Sequence, residues 1–98
     1  MLERIRTAIA EQRHLAFTYL GLPRIVTPWL LGTTKAGLWR MRAALVGGHS
    51  SSGHAGDGRP RLFDAAVMFE VTVLFDRFEV PGEYRRDDRA FTFIDTAL

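Results

Sequence analysis

The stretch Leu38 to Leu62, LWRMRAALVGGHSSSGHAGDGRPRL, restricts the possible folds more than any other part of the chain. Its first half alternates. Trp39, Met41, Ala43 and Leu45 fall on one side of a two-residue period, and Arg40, Arg42 and Ala44 on the other. That is the pattern of a strand with one buried face. The segment 47–58 then holds five glycines, three serines and two histidines in twelve residues, and nothing in it can build a core. A strand, a polar glycine loop and a second strand opening near Arg61 predict an antiparallel pair with a long connection.

The rest of the chain reads as short elements around this pair. Leu2, Ile5 and Ile9 recur at three- and four-residue spacing, which predicts an amphipathic helix over about Leu2 to Gln12. Leu15 to Leu20 alternates and predicts a first strand, with Leu15, Phe17 and Tyr19 on one face. Gly21-Leu22-Pro23 is the turn into a second strand, Arg24 to Leu31, where Pro28 marks an edge or a bend because it cannot donate to a ladder. Arg61 to Asp64 is the fourth strand, Ala65-Ala66 bends it, and Val67 to Phe75 is the fifth and last. A helix over Ala65 to Phe75 is the alternative; its Val, Thr and Phe content favours strand. Phe91 to Ile94 offers a further short strand in a tail, 85–98, that opens on charged residues.

Ninety-eight residues make one domain, 1–98, with a single small core. There is no cysteine, hence no disulfide, thiolate metal site or thiol nucleophile. No apolar run approaches the roughly 18–20 residues of a membrane span, and the charged N-terminus lacks the apolar core of a secretory signal. A cytoplasmic location is expected, with no membrane partner. The predicted fold is mainly β: an N-terminal helix plugging one end of a small five-stranded barrel of Sm-like or SH3-like topology. Formal net charge is only +2, but of the 13 basic side chains only Lys35 is lysine. The arginine fork suits phosphates and carboxylates, and a high-GC genome, which favours arginine codons, explains the same bias.

Taken in order, Ala8-Ile9, Leu15-x-Phe17-x-Tyr19, Arg24-x-Val26-x-Pro28, Trp39, Arg61-x-Phe63, Phe78 and Tyr84 resemble the WYL domain family, and its small stand-alone bacterial members in particular. The loop Gly47-Gly48-x-Ser50-x-Ser52-Gly53 and the tail Tyr84-x-x-x-Asp88-x-x-Phe91 extend the resemblance over nearly the whole chain. The signature Trp-Tyr-Leu is here Trp39-Arg40-Met41, and the fourth-strand pattern keeps Arg61 and Phe63 while Asp64 and Val67 stand where the family has arginines. The resemblance implies a Sm-like barrel associated with transcription regulation, often in anti-phage defence, that senses a nucleotide or single-stranded nucleic acid. The helix-turn-helix domain that usually precedes it is not in this sequence.

Within that expectation, Arg24, Arg40, Arg42 and Arg61 would hold phosphates, with Arg40 or Arg42 supplying the lost fourth-strand charge beside Arg61. Tyr19, or alternatively Trp29, would stack a base. Arg59 belongs to the same set. Guanidinium groups on one face repel unless an anion sits between them; the other reading is that they are solvated or paired with Asp57, Asp64 and Glu70. Gly47, Gly48, Ser50 and Ser52 would add loop contacts if backbone N–H groups turn inward, and a plain hairpin tip reads equally well. His49, His54 and Asp57 fit no metal-binding spacing, and the three serines beside two histidines lack a rigid frame. No metal, no cofactor and no enzymatic activity are expected. Trp39 should be core, and Trp29, on the opposite parity, exposed. The alternative function is a protein-interaction module, homo-oligomeric or docked onto a separate regulator, through exposed strand edges and Phe69, Val71, Phe75 and Phe78.

Overall fold

A computed structural model describes residues 1–48 and 58–98. The chain is mainly β with one N-terminal helix. Helix α1 (Leu2–Ala10) buries Ile5, Ala8 and Ile9 against the sheet, the stripe expected from their spacing. It ends earlier than Gln12, which adopts a left-handed φ of 53° and turns the chain into β1 (Arg13–Tyr19). Leu20 and Gly21 both have positive φ and form a two-residue hairpin loop closed by the Tyr19–Leu22 pair. That backbone twist matches the twist of the flanking strands.

Strand β2 (Leu22–Thr33) is the spine of the sheet. It pairs with β3 (Trp39–Gly48) from Arg24 to Thr33, and β3 pairs with β4 (Pro60–Asp64). On the other edge of β2, β1 covers only Leu22 to Val26. From Leu30 to Thr33 that edge is taken by β6 (Phe93–Ala97). Pro28 falls in the gap between these two ladders, the place where a missing N–H costs least. After β4 a 3-10 turn, Ala65–Val67, is capped by the Asp64 carboxylate accepting from the Ala66 N–H, and β5 (Met68–Arg77) returns along β1.

The sheet is therefore six-stranded and antiparallel, in the order β4-β3-β2-β1-β5 with β6 on β2. It corrects the expected five-stranded barrel in two respects. There is a sixth strand, because β1 is too short to cover β2. The sheet is not closed, because β4 and β5 end the path without pairing. Strand β5 is also irregular: its register against β1 shifts twice. Each shift exposes a carbonyl that an arginine satisfies. Arg4 Nη1 donates to the Val71 oxygen at 2.6 Å, and Arg13 Nε donates to the Leu74 oxygen at 2.7 Å. Such bulges blunt an edge against further pairing.

Two cores result. The inner one joins α1 to the inward residues Leu15, Phe17, Val26, Leu31, Met41, Ala43, Leu45, Phe63, Met68 and Val71. The outer one is made by the tail, which lays Tyr84, Phe91, Ile94, Ala97 and Leu98 over Trp29, Leu30 and Ala44. Trp29 is thus buried, contrary to its expected exposure, and stands at 89° to the Tyr84 ring with centroids 6.0 Å apart. Trp39 is only partly buried, at the rim of the inner core with the Arg6 guanidinium 5.9 Å from its ring centroid.

Gly32 sets how closely β6 approaches. A Cβ there would overlap the Phe93 carbonyl oxygen and meet Phe91 Cδ1 at 2.9 Å and Ile94 Cα at 3.2 Å. Two of these are backbone and cannot rotate away. Gly32→Ala is expected to cost about 1–3 kcal/mol by overpacking, measured by urea denaturation, and to raise hydrogen exchange selectively in β6.

Candidate anion-binding site

Strand parity decides where each arginine goes. Residues directly opposite one another on paired strands share a face. Arg24 lies opposite Phe17 on β1 and opposite Gly48 on β3. Arg61 lies opposite Ala43. Phe17 and Ala43 belong to the inner core, so Arg24 and Arg61 occupy the inward face, at the end of the sheet next to the 47–58 loop. Arg40 and Arg42 sit on the opposite parity, facing Asp64 and Leu62 of β4.

Arg24 is 4% exposed. Its Nη2 donates to the Tyr19 carbonyl oxygen at 3.2 Å, and its Cζ lies 5.4 Å from the Tyr19 ring centroid. Its Nε is buried with no hydrogen-bond partner. Among the described residues no carboxylate pairs with it. Burial pushes its pKa down from the ordinary arginine value, the Arg61 charge pushes the same way, and Tyr19 partly offsets them. Arginine nonetheless stays protonated. Arginine is almost never fully buried unless paired, so this group is an anomaly that packing alone does not explain.

Tyr19 is held from several sides. Its ring is perpendicular to Phe17 and Phe63, with centroids 6.1 and 5.1 Å away, and its hydroxyl accepts the Asp64 N–H at 3.0 Å. Gly48 adopts a φ of 79°, and a Cβ there would overlap the Pro23 carbonyl oxygen and crowd the Arg24 Cα. The backbone of β3 therefore approaches Arg24 as closely as glycine allows. Gly47 pairs with Ile25. Ser50 and Ser52, with His49, His54 and Asp57, lie outside the described residues.

The structure thus brings together three of the expected site residues, Tyr19, Arg24 and Arg61, and separates two. Arg40 bridges to Asp64 at 3.0 Å. Arg42 makes a bidentate pair with Asp88, at 2.7 and 3.2 Å, that pins the tail to β3. The expected convergence of Arg40 or Arg42 on Arg61 does not occur, because alternation places them on the other side of the sheet. Glu70 accepts from the Thr18 hydroxyl instead of pairing with an arginine of the set. Among the described residues no cluster of histidines and acids has the makings of a metal site.

The Asp88 clamp carries a pH signature. Burial pushes its pKa up, but the Arg42 guanidinium and the Ala90 N–H outweigh burial and hold it below the ordinary carboxylate value. Asp95 is depressed by its bidentate bond to Arg6, with help from Thr96. A depressed folded-state pKa contributes stability that is present above the unfolded value, about 3.9, and lost as pH falls through the folded one. Acid should therefore loosen the tail below about pH 4. Asp88→Asn should remove on the order of 1 kcal/mol at neutral pH and flatten the acid limb, followed by Trp29 fluorescence.

Two surface grooves lie elsewhere, on either side of Ala66. One, of about 630 Å³, runs between the start of α1 and the start of β5; the other, of about 340 Å³, lies between Leu2, Leu38 and Trp39. Neither includes Arg24 or Arg61. No protein-family model, curated protein or solved structure matches the chain.

Proposed function

We propose that this chain is a non-enzymatic regulatory module that binds a nucleotide or a short single-stranded nucleic acid through the Arg24–Arg61 end of its sheet. One observation carries the proposal: the buried Arg24 guanidinium, which has no carboxylate partner among the described residues, lies near enough to Arg61 for that charge to raise its electrostatic cost. An anion between the two offsets both burial and repulsion, since charge-assisted hydrogen bonds to phosphate are the strong ones. The WYL resemblance and a Sm-like description of the fold belong to the same proposal. They are supported by the helix ahead of the sheet and by the strand order β4-β3-β2-β1-β5. Gly47 and Gly48, opposite Ile25 and Arg24, border the site.

The test is a titration of the full chain with labelled single-stranded DNA, single-stranded RNA and a nucleotide at two salt concentrations, with Arg61→Ala alongside. Binding that weakens with salt and is lost in Arg61→Ala supports the reading. Undiminished affinity in Arg61→Ala overturns it.

A second reading draws on the β5 surface. Phe75 is 93% exposed and Phe69 is also exposed, a heavy apolar load for one strand. A protein-interaction module, self-associating or docked onto a separate regulator, would cover it. Apolar association persists or strengthens with salt, so the same salt series separates the two readings.

A further inference from the structure

We infer that the outward face of the sheet, where the tail crosses it, holds a second binding site, for a small zwitterion with an apolar body: the chemistry of a free aliphatic α-amino acid. The inference is independent of the anion site. Arg59 and Arg61, the neighbours of Pro60, do not line this hollow.

The site is a hollow of about 240 Å³ between sheet and tail. The sheet supplies Trp29, Arg42 and Pro60; the tail supplies Glu83, Arg85 and Asp88. Strand parity accounts for the first group. Arg42 and Ala44 share the outward face of β3, Pro60 lies opposite Ala44, and Trp29 packs with Ala44 in the outer core. Tyr84 accounts for the second. Its ring stands edge-on to Trp29 and its hydroxyl donates to the Leu98 carbonyl oxygen at 3.0 Å, so its chain neighbours Glu83 and Arg85 are held beside the hollow.

The charges select the ligand. Two of each sign line the hollow. Arg42 and Asp88 satisfy one another in a bidentate pair at 2.7 and 3.2 Å. Glu83 and Arg85, only two residues apart, form no ion pair with each other or with any other described residue. A simple anion there meets the Glu83 carboxylate, and a simple cation meets the Arg85 guanidinium. A molecule with one ammonium and one carboxylate answers both, through charge-assisted hydrogen bonds at each end. Trp29 and Pro60 offer apolar surface to its body. Trp29 adds an independent observation. It is 3% exposed, and its Nε1 is buried with no acceptor among the described residues, an exception among buried donors. A carboxylate brings an acceptor to a lining residue whose donor has none. Drug-sized ligands occupy about 300–1,000 Å³, so the occupant of this hollow is smaller.

The experiment is calorimetric titration of the full chain with L-valine, isobutylamine and isovalerate, the last two lacking its carboxylate and its ammonium respectively. Valine should bind, and each analogue should bind about tenfold or more weakly. Arg85→Gln should lower valine affinity to that of isobutylamine, and Glu83→Gln to that of isovalerate. Both positions are exposed, and melting curves establish that both variants are folded. The hollow exists only where tail meets sheet, so valine at about 100 times its Kd should also slow hydrogen exchange of the β6 amides by up to about a hundredfold. No binding of valine overturns the inference. So does equal binding of valine and its analogues, or valine affinity unchanged in both variants. Valine that binds without slowing β6 exchange places its site elsewhere and overturns the inference as well. None of these outcomes bears on the anion site.

Discussion

Arg24→Met is expected to leave the fold intact, to hold or raise its stability in anion-free buffer, and to abolish anion binding. The reason is the position of Arg24 on the inward face, opposite Phe17 and 4% exposed, with no carboxylate partner among the described residues. Replacing buried charged groups with apolar side chains of similar volume is often neutral or stabilising by about 1–4 kcal/mol. Against this stands the loss of one hydrogen bond to the Tyr19 carbonyl and of the cation–π contact, the latter about 0.5–2 kcal/mol. A residue kept only for packing would behave in the opposite way, since its replacement would destabilise the protein and leave anion affinity alone. Urea denaturation of both proteins in phosphate-free buffer, beside the titrations, reads the two effects separately.

Trp29→Ala is expected to be the most destabilising single change, at about 3–5 kcal/mol. That is a large share of the roughly 5–15 kcal/mol available to a small domain. Trp29 is the largest side chain of the outer core, packs edge-on against Tyr84, and its carbonyl accepts the Leu98 N–H. Removing it leaves the tail without its main apolar anchor, held by the Arg42–Asp88 pair and the β6 ladder. Its indole Nε1 is buried without a hydrogen-bond partner, so Trp29→Phe removes volume and no hydrogen bond, and should cost no more than about 1.5 kcal/mol. Denaturant midpoints give both values. Limited proteolysis should cut the tail of Trp29→Ala first, near the charged 85–89 segment.

Much of this architecture is written in two-residue alternation. Met41, Ala43 and Leu45 are inward as their period requires, and the first four strands lie within a few residues of their expected positions. The splitting of the arginines was present in the same signal. Arg61 shares its parity with Phe63, and Arg24 with Val26, whereas Arg40 and Arg42 alternate with the inward Met41. Followed across the pairing, that parity separates the two sets before any coordinates are seen. The sixth strand and the burial of Trp29 were harder to read. Both depend on a long-range fact, that β1 covers only the first part of β2 and leaves Leu30–Thr33 for the tail. Local pattern marks Trp29 as outward, which it is; it does not reveal the tail lying over that face. That no carboxylate among the described residues pairs with Arg24 is likewise a property of the assembled sheet.

The most direct measurement is the melting temperature of the wild-type protein and of Arg24→Met across a phosphate concentration series at constant ionic strength. Ligand at about 100 times its Kd stabilises a folded protein by roughly 2.7 kcal/mol. The account predicts a rise of several degrees with phosphate in the wild type, and a flat line in Arg24→Met starting at or above the wild-type value. Equal rises in both proteins, or none in either, would contradict it.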